Sequence, residues 1–294
     1  MILVTGANGF VGRALLSALD HYQIEARPFV GRINNLIDLR KNLEGVETVI
    51  HLATAEFSRR RKVPRNRRSP FPRRDEALHH IDVLGTQRLM QEAESLGVNH
   101  VIYVSRLNAE KESAFPVLRA KGMAEQIVRK SNLPTTIMRV ATLFGRDDHF
   151  LNTISWQTGW QWPLAWLPGG GRSLIQPLWV EDLVKCLITV SDPLDLQGYR
   201  GRTYELAGDE RLHYFEAVAL VLATTGRRRL SLSIPNRLAR TLIWALFSWR
   251  RPNKIDLYFL DHLRTPEIAP LDIVHQTFGF HPTRMREQIT YLRR

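Results

Sequence analysis

The sequence predicts an α/β fold in which a doubly wound parallel sheet is followed by a smaller, mostly helical C-terminal domain. Short apolar runs rich in β-branched residues alternate with helical patterns through the first half of the chain. Such alternation is typical of right-handed βαβ units with helices on both faces of the sheet. After Gly145 the pattern changes, and five of the seven tryptophans fall between Trp156 and Trp179. A chain of 294 residues can hold both domains.

The predicted strands and helices follow one another in a regular order. "MILVT" is predicted as a strand and "GFVGRALLSALDHY" as a helix, and "IEARPFV" and "VETVIHLAT" as the next strands. The long helix "DEALHHIDVLGTQRLMQEAESLG" precedes the strand "VNHVIYVS", and the helix "KGMAEQIVRKS" precedes the strand "PTTIMRVATLFG". We therefore predict a first domain over residues 1–150, rejoined by residues 174–208, and a second domain over residues 151–173 and 209–294.

The cysteine count and the apolar runs indicate the cellular compartment of the protein. Cys186 is the only cysteine, so no intramolecular disulfide forms, which fits a reducing environment. It lies in an apolar helical run, where a buried structural thiol is favoured over a nucleophile. The first apolar run is too short for a signal peptide, and no run of about 18 apolar residues is present. We expect a cytoplasmic protein, with a peripheral position at the inner membrane as the alternative.

One segment supplies most of the net charge of +12. Residues 59–74, "RRRKVPRNRRSPFPRR", contain nine arginines and lysines and no acid, and without them the net charge would be +3. Three prolines and no apolar periodicity predict a loop. A solvated insertion, a site for an acidic protein partner and a contact with an anionic membrane surface all remain open. Nucleic acid is a less favoured partner because no stacking aromatic residues accompany the charge.

A glycine-rich turn follows the first strand. "TGANGFVG" places Gly6, Gly9 and Gly12 between a strand and a helix. The first glycine permits the tight turn, the second allows the backbone to approach a pyrophosphate, and the third allows close packing of helix on strand. The helix N-terminus then offers N–H groups to the phosphates. With the βαβ order that follows, the turn predicts a Rossmann-type dinucleotide site.

The end of the second strand indicates which dinucleotide binds. NAD-binding proteins place an acidic residue there, about 20 residues past the glycines, whereas a basic residue suits a 2′-phosphate. Here the strand leads into "FVGR", which puts Arg32 at this position and no acid. We therefore expect NADP(H) rather than NAD(H). A solvated loop arginine is the alternative interpretation of Arg32.

The spacing Thr-Gly-x-x-Gly-x-x-Gly resembles the short-chain dehydrogenase/reductase superfamily, in its extended or atypical branch, over about residues 1–210. Asp38 and Leu39 resemble the family's adenine contact, and "HLA" at residues 51–53 resembles its fourth-strand motif. Asp82 stands in a helix where the family has asparagine, and Ser105 matches the family serine. The resemblance implies cofactor contacts from the turn and from later segments: Gly6, Asn8, Gly9, Phe10, Val11, Gly12, Arg32, Asp38, Leu39, Leu52, Ala53, Thr54, Lys121, Val140 and Leu143.

The family's proton donor is missing. In the family a tyrosine exchanges a proton with the substrate oxygen, and a lysine four residues later lowers its pKa and holds the nicotinamide ribose. Lys121 stands at the lysine position, but Val117 occupies the tyrosine position and cannot transfer a proton. Tyr103 lies two residues before Ser105, on the same strand face, and a core role is favoured for it over replacement of the lost acid.

Two groups within the resembling branch lack this tyrosine. One contains reductases that act through the lysine alone. The other contains proteins that hold the cofactor with little catalysis, such as the NADPH-binding accessory subunit of respiratory complex I and NmrA-like redox sensors; the run from "IQPLW" to "FEAVALV" is most similar to the complex I subunits. Two functions remain open. One is an oxidoreductase that uses Lys121 and Ser105 on an apolar carbonyl or quinone-like substrate. The other is a non-catalytic NADP(H)-holding protein that serves a structural, assembly or redox-sensing role, docked to a protein partner or a membrane.

The remaining candidate sites are weaker. The ten histidines are scattered, and His79 and His80 lack the i, i+4 metal spacing, so we assign no metal. Residues 237–251 form an amphipathic pattern with flanking basic residues, which predicts either a helix packed on the small domain or one lying in a membrane interface. The tryptophan-rich run lies where the family builds its substrate region, so a bulky apolar ligand and an ordinary core are both open.

Overall fold

The computed structural model describes residues 1–56, 73–159, 164–195, 197–235, 238, 260–261 and 263–293. The chain divides into two units, Met1–Val140 with Leu183–Glu205, and Ala141–Asp182 with Leu206–Arg294. Compared with the predicted domains, residues 141–150, 174–182 and 206–208 fall in the second unit. The basic segment 59–74 lies outside the described residues except for its last two, which begin a helix, and of residues 237–251 only Leu238 is described.

The elements are numbered in chain order. The strands are β1 (Ile2–Thr5), β2 (Ala26–Pro28), β3 (Thr48–His51), β4 (His100–Arg106), β5 (Thr135–Val140), β6 (Leu143–Phe144), β7 (Leu164–Pro168), β8 (Leu174–Ile175), β9 (Leu178–Trp179), β10 (Thr203–Leu206), β11 (Leu212–His213) and β12 (Leu230–Ile234). The α-helices are α1 (Phe10–His21), α2 (Leu36–Leu43), α3 (Arg73–Leu78), α4 (Thr86–Ser95), α5 (Pro116–Lys130), α6 (Leu151–Gly159), α7 (Val180–Val190), α8 (Tyr214–Thr224), α9 (Ile273–Phe278) and α10 (Met285–Gln288). A π-helical turn, His79–Gly85, joins α3 to α4.

A six-stranded sheet in the order β10-β5-β4-β3-β1-β2 forms the first unit. β1 pairs in parallel with β2 and β3, and β4 pairs in parallel with β3 and β5. The amide of Ile137 donates to the Arg202 carbonyl, which joins β10 to β5. The predicted doubly wound parallel sheet is therefore confirmed.

The core of this unit lies between the sheet and helices α2, α4 and α5. All residues of β1 and β3 are buried, as expected for central parallel strands covered on both faces. The packed side chains include Leu3, Leu39, Val49, Leu89, Tyr103, Ala124 and Ile137. Because parallel strands end at one edge of the sheet, the residues after β1, β3 and β4 meet there, and ligands of open α/β sheets bind at this edge.

Two features of the helices position polar side chains in this core. Helix α5 begins at Pro116, whose fixed φ suits the first helical position, and Phe115 before it is extended. Val117, Lys121 and Glu125 follow at four-residue intervals and share its buried face. The long helix predicted before β4 is interrupted by the π-helical turn, a feature often found at functional sites.

In the described part of the second unit three two-stranded sheets pair β6 with β9, β7 with β12 and β8 with β11. Its core packs side chains from α6 and α8 with residues near the C-terminus: Phe144, Leu151, Ile154, Tyr214, Val218, Val221 and Ile289. Among the helices whose residues are described, none is long and apolar enough to cross a membrane.

Candidate dinucleotide site

The glycine turn connects β1 to α1. Gly6 has a φ of +68°, and a Cβ atom there would lie 2.7 Å from the carbonyl carbon of Leu52. A Cβ atom on Gly12 would lie 2.4 Å from the Gly6 carbonyl oxygen, which the Gly9 amide already contacts at 2.9 Å. Helix α1 then begins at Phe10 with no side chain capping its N-terminus. The turn has no room for side chains and leaves a helix N-terminus available to phosphates, which fits a dinucleotide.

The predicted contacts beside the turn lie close to it along the chain. Asn8 is exposed, whereas Phe10 and Val11 are half-buried in the first turn of α1. The Asn8 carbonyl accepts a hydrogen bond of 2.8 Å from the guanidinium of Arg13. At the N-terminus of α1 these predicted residues therefore present their backbone more than their side chains.

The loop after β2 holds both charged groups predicted for the adenosine end. Arg32 is exposed, and its amide donates a hydrogen bond of 2.8 Å to Asp38 Oδ2. The Asp38 side chain packs against Gly31, where a Cβ atom would lie 2.5 Å from the same oxygen. The folded loop therefore places one carboxylate, that of Asp38, beside Arg32, although the residues that close the second strand include no acid. Asp38 is six residues further along the chain, and only the folding of the loop against α2 brings it there.

The remaining predicted contacts are distributed over both units. Leu39 is fully buried in the core between sheet and helices, so its side chain faces the interior. Leu52, Ala53 and Thr54 follow β3 and are half-buried. The backbone of the first two lies directly beside Gly6. Val140 is buried at the end of β5, and Leu143 is half-buried at the start of β6 in the second unit.

Lys121 is buried beside a carboxylate. Its Nζ atom lies 3.2 Å from Asp82 Oδ1 and 3.5 Å from the carbonyl oxygen of Val104. The side chains of Lys121 and Asp82 are 5% and 0% exposed. Asp82 Oδ2 accepts a hydrogen bond of 2.9 Å from the Ala55 amide, so both carboxylate oxygens are engaged. Sequence reasoning noted Asp82 as a departure from asparagine but not this ion pair.

Lys121 remains protonated despite its burial. Burial by itself lowers its pKa, but the Tyr103 oxygen and the carboxylates of Asp82 and Glu56 outweigh that effect and raise the pKa above its ordinary value. Glu56 in turn accepts a hydrogen bond of 2.5 Å from Arg106 Nη1. The lysine is thus a fixed cation within a group of buried charges.

Neither Tyr103 nor Ser105 offers an accessible hydroxyl in place of the missing tyrosine. Val117 is buried in the first turn of α5. Tyr103 is also fully buried, with Lys121 Nζ 5.2 Å from the centre of its ring, and burial raises its pKa. The hydroxyls of Tyr103 and Ser105 have no well-formed hydrogen bond to any described residue. Tyr103 is therefore part of the core, and Lys121, Ser105 and Tyr103 lie out of contact with solvent.

A further buried carboxylate, Glu125 on α5, has charged partners of its own. Glu125 is 1% exposed and accepts hydrogen bonds from Arg139, including one of 2.8 Å from Nη2, and it pairs with Arg129 at 2.9 Å. These two arginines compensate the buried negative charge of Glu125, so the lysine one turn earlier is not involved.

One cluster of metal-ligand type lies in the second unit. Ligand atoms of Asp209, Asp272 and His281 lie within 4.8 Å of one another, and Asp209 Oδ2 is 3.0 Å from His281 Nδ1. Asp272 and His281 are exposed. The cluster went unnoticed in the sequence because its members come from three separated segments.

Known proteins resemble the chain along most of its length. A family described as NAD(P)H-binding matches residues 6–154, about half of the chain. Rat (Rattus norvegicus) mitochondrial NADH dehydrogenase [ubiquinone] 1 alpha subcomplex subunit 9 is 25% identical, over 99% of this chain and 79% of its own. A 4-hydroxy-2-methyl-3-oxo-4-farnesyl-3,4-dihydroquinoline-1-oxide ketoreductase from Stigmatella aurantiaca is 22% identical, over 81% of this chain and 77% of its own.

A solved structure shares the fold. It is that of a short-chain dehydrogenase/reductase superfamily protein from Agrobacterium tumefaciens with bound NAD, with a TM-score of 0.69, 18% identity and coverage of 99% of this chain and 94% of its own. The matched family segment contains the glycine turn, the loop after β2 and Lys121. The chain therefore belongs to the NAD(P)H-binding family, and the resemblance of its motifs to atypical short-chain dehydrogenases/reductases is confirmed.

Proposed function

We propose that this protein holds NADP(H) without transferring hydride, and that it serves as a structural, assembly or redox-sensing component. The observation that carries the proposal is the buried ion pair of Lys121 and Asp82, with Val117 at the position of the family's acid. A lysine engaged in this way does not act on a neighbouring hydroxyl, and the hydroxyl itself is replaced by a methyl-bearing side chain. The glycine turn that would hold the pyrophosphate is intact.

The need of a reductase for a proton donor supports the same conclusion. Reduction of a carbonyl needs a group that donates a proton to the oxygen as hydride arrives, with a pKa near the working pH. Burial keeps the Tyr103 hydroxyl protonated, and its neighbours keep Lys121 charged, because the pKa of each lies above its ordinary value. Both groups are also shielded from solvent. They are poor proton donors to a substrate.

The choice of NADP(H) over NAD(H) belongs to the proposal. Arg32 is exposed at the end of β2, where a guanidinium suits a 2′-phosphate. The Asp38 carboxylate, which the family resemblance assigns to the adenine contact, accepts a hydrogen bond from the Arg32 amide. The exposed guanidinium is the group that favours a phosphate here, whereas the Asp38 carboxylate, which has the same sign of charge as a phosphate, opposes it.

Docking to a protein partner or a membrane surface is the remaining part of the proposal. The rat relative is by its name a subunit of NADH dehydrogenase, and it resembles this chain over 99% of its length. The basic sequence of residues 59–74 and the amphipathic sequence pattern of residues 237–251 support such contacts. We propose a cytoplasmic location, with a peripheral position at the inner membrane as the alternative.

The alternative is an oxidoreductase that acts on an apolar carbonyl or quinone-like substrate through Lys121 and Ser105. The observation that favours it is the pair of buried hydroxyls, on Tyr103 and Ser105, without partners among the described residues. Buried polar atoms of this kind sometimes mark a catalytic role. The Stigmatella aurantiaca relative is by its name a ketoreductase.

An assay of NADPH oxidation distinguishes the two functions. The full chain is incubated with NADPH and a panel of quinones, ketones and enones, and absorbance at 340 nm is followed. The proposal predicts NADPH binding with no oxidation above the rate without protein. Oxidation above that rate by the wild-type protein would establish the alternative.

A further inference from the structure

A chain of buried hydrogen bonds connects the glycine turn to the partner of Lys121. Thr5 Oγ1 lies 2.6 Å from His51 Nδ1, and His51 Nε2 lies 2.9 Å from Thr86 Oγ1. Thr86 Oγ1 then donates a hydrogen bond of 2.6 Å to the Asp82 carbonyl. We call Thr5, His51, Thr86 and Asp82 the polar chain; all four are at most 1% exposed.

The proton positions along the polar chain follow from its last bond. Thr86 has one hydroxyl proton, which goes to the Asp82 carbonyl, so His51 Nε2 must donate to Thr86. His51 Nδ1 is then an acceptor for the Thr5 hydroxyl. The imidazole is a neutral Nε2–H tautomer with both nitrogens satisfied.

One end of the polar chain lies beside the glycine turn, and the other end lies beside Lys121. At one end, Thr5 Oγ1 accepts hydrogen bonds of 3.2 and 3.3 Å from the amides of Leu52 and Ala53. This is the backbone against which Gly6 packs without room for a Cβ atom. At the other end, the Asp82 carboxylate holds Lys121. Neither His51 nor Thr86 belongs to the turn.

We infer that His51 and Thr86 are positioning residues, which hold the glycine turn in its nucleotide-binding shape from a distance. The inference rests on the proposed binding of a dinucleotide at this turn. When a link is removed, the turn spends less time in the binding shape, and the apparent dissociation constant rises in proportion. A buried donor left unpaired makes the loss larger than that of one hydrogen bond.

The test replaces Thr86 by valine, which keeps the side chain's shape and removes its hydroxyl. The chain offers a matched control on the same sheet. Thr136 lies 2.9 Å from the Nε2 atom of buried His100 and donates to the Tyr199 carbonyl, but it lies near the start of β5, away from the turn. Thr136→Val therefore removes an equivalent threonine–histidine bond.

NADPH dissociation constants are measured by fluorescence titration, and folding is checked by circular dichroism. We expect Thr86→Val to bind NADPH about tenfold more weakly than the wild type. Thr86→Ser should restore the affinity, and Thr136→Val should bind as the wild type does. If either valine variant fails to fold, Thr86→Ala and Thr136→Ala replace the pair.

Unchanged affinity in Thr86→Val, or an equal loss in Thr136→Val, would overturn the inference. A wild-type protein that binds neither NADPH nor NADH would contradict the proposed function instead. Binding by the wild type is therefore measured first.

Discussion

The ammonium group of Lys121 lies 3.2 Å from Asp82 Oδ1, and both side chains are buried. The lysine that the family uses beside a tyrosine is here part of an interior ion pair. Two buried charges are tolerated when they are paired and hydrogen-bonded, whereas one left alone is costly. The pair therefore ties the lysine to the fold, and its removal is expected to affect stability before it affects any chemistry.

Lys121→Met should destabilise the protein strongly, because it leaves the Asp82 carboxylate buried without a counter-charge. We expect a loss of about 3–5 kcal/mol in the free energy of unfolding, measured by urea denaturation. Lys130→Met, at the exposed end of the same helix, is the control and should change stability by less than about 0.5 kcal/mol. Equal stability of the two variants would show that the buried ion pair is not formed.

Two buried histidines should make the protein acid-sensitive. Burial, followed by the charge of Lys121, lowers the pKa of His51 to about 3. Burial, followed by the charge of Arg200, lowers the pKa of His100 to about 4. Below the unfolded-state value of about 6.5, the unfolded chain takes up protons that the folded protein does not. Stability is therefore full above about pH 6.5 and falls as the pH decreases toward the folded values.

The expected slope between pH 6 and 5 is about 1.4 kcal/mol per pH unit for each of these histidines. Urea unfolding at pH 7.5, 6.0 and 5.0 measures it. In parallel, the ¹⁵N chemical shifts of His51 should show a neutral ring with its proton on Nε2. The same free energy of unfolding at pH 7.5 and pH 5.0 is the outcome that argues against neutral buried rings.

Gly6→Ala should abolish nucleotide binding. Its φ is positive, and an added Cβ atom would overlap the backbone of Leu52 and Ala53. Gly97 also has a positive φ, but nothing lies within 4 Å of a Cβ atom there, so Gly97→Ala reproduces the strain without the overlap. We expect more than a tenfold loss of NADPH affinity for Gly6→Ala alone, measured by calorimetry. Normal affinity in Gly6→Ala would remove the turn from the site.

Arg32→Ala should weaken NADPH binding and leave NADH binding unchanged, because only NADPH carries the 2′-phosphate. The expected loss is about tenfold, as for one charge-assisted hydrogen bond. Lys41→Ala removes a positive charge from the nearby exposed surface of α2 and controls for long-range attraction. If NADPH affinity survives in Arg32→Ala, the 2′-phosphate lies elsewhere.

Local patterns were sufficient to predict the sheet and the turn. The glycines of the turn and the alternation of strands and helices depend on neighbours in sequence, so Gly6, Gly12 and the parallel order follow from spacing. The second strand is shorter than predicted, at three residues, because Phe29 and Val30 continue into the loop that Asn42 holds by two hydrogen bonds to Val30. A tertiary contact sets that boundary.

The electrostatics of the site could not be predicted from the sequence. Asp82 and Lys121 are 39 positions apart, and their pairing depends on the π-helical turn that directs Asp82 inward. Asp38 reaches the Arg32 amide only once the loop after β2 has folded on α2. The polar chain joins three segments through His51, which looked in sequence like one more residue of a buried strand.

The measurement that tests the central claim most directly is the redox state of nucleotide held by the protein. The chain is loaded with NADPH, freed of excess by gel filtration, incubated with a short-chain ubiquinone analogue, and denatured for mass spectrometry. We predict that the released nucleotide remains NADPH, in near-stoichiometric amount. Conversion to NADP⁺ beyond that in a control without protein would contradict the account and assign the chain to the oxidoreductases.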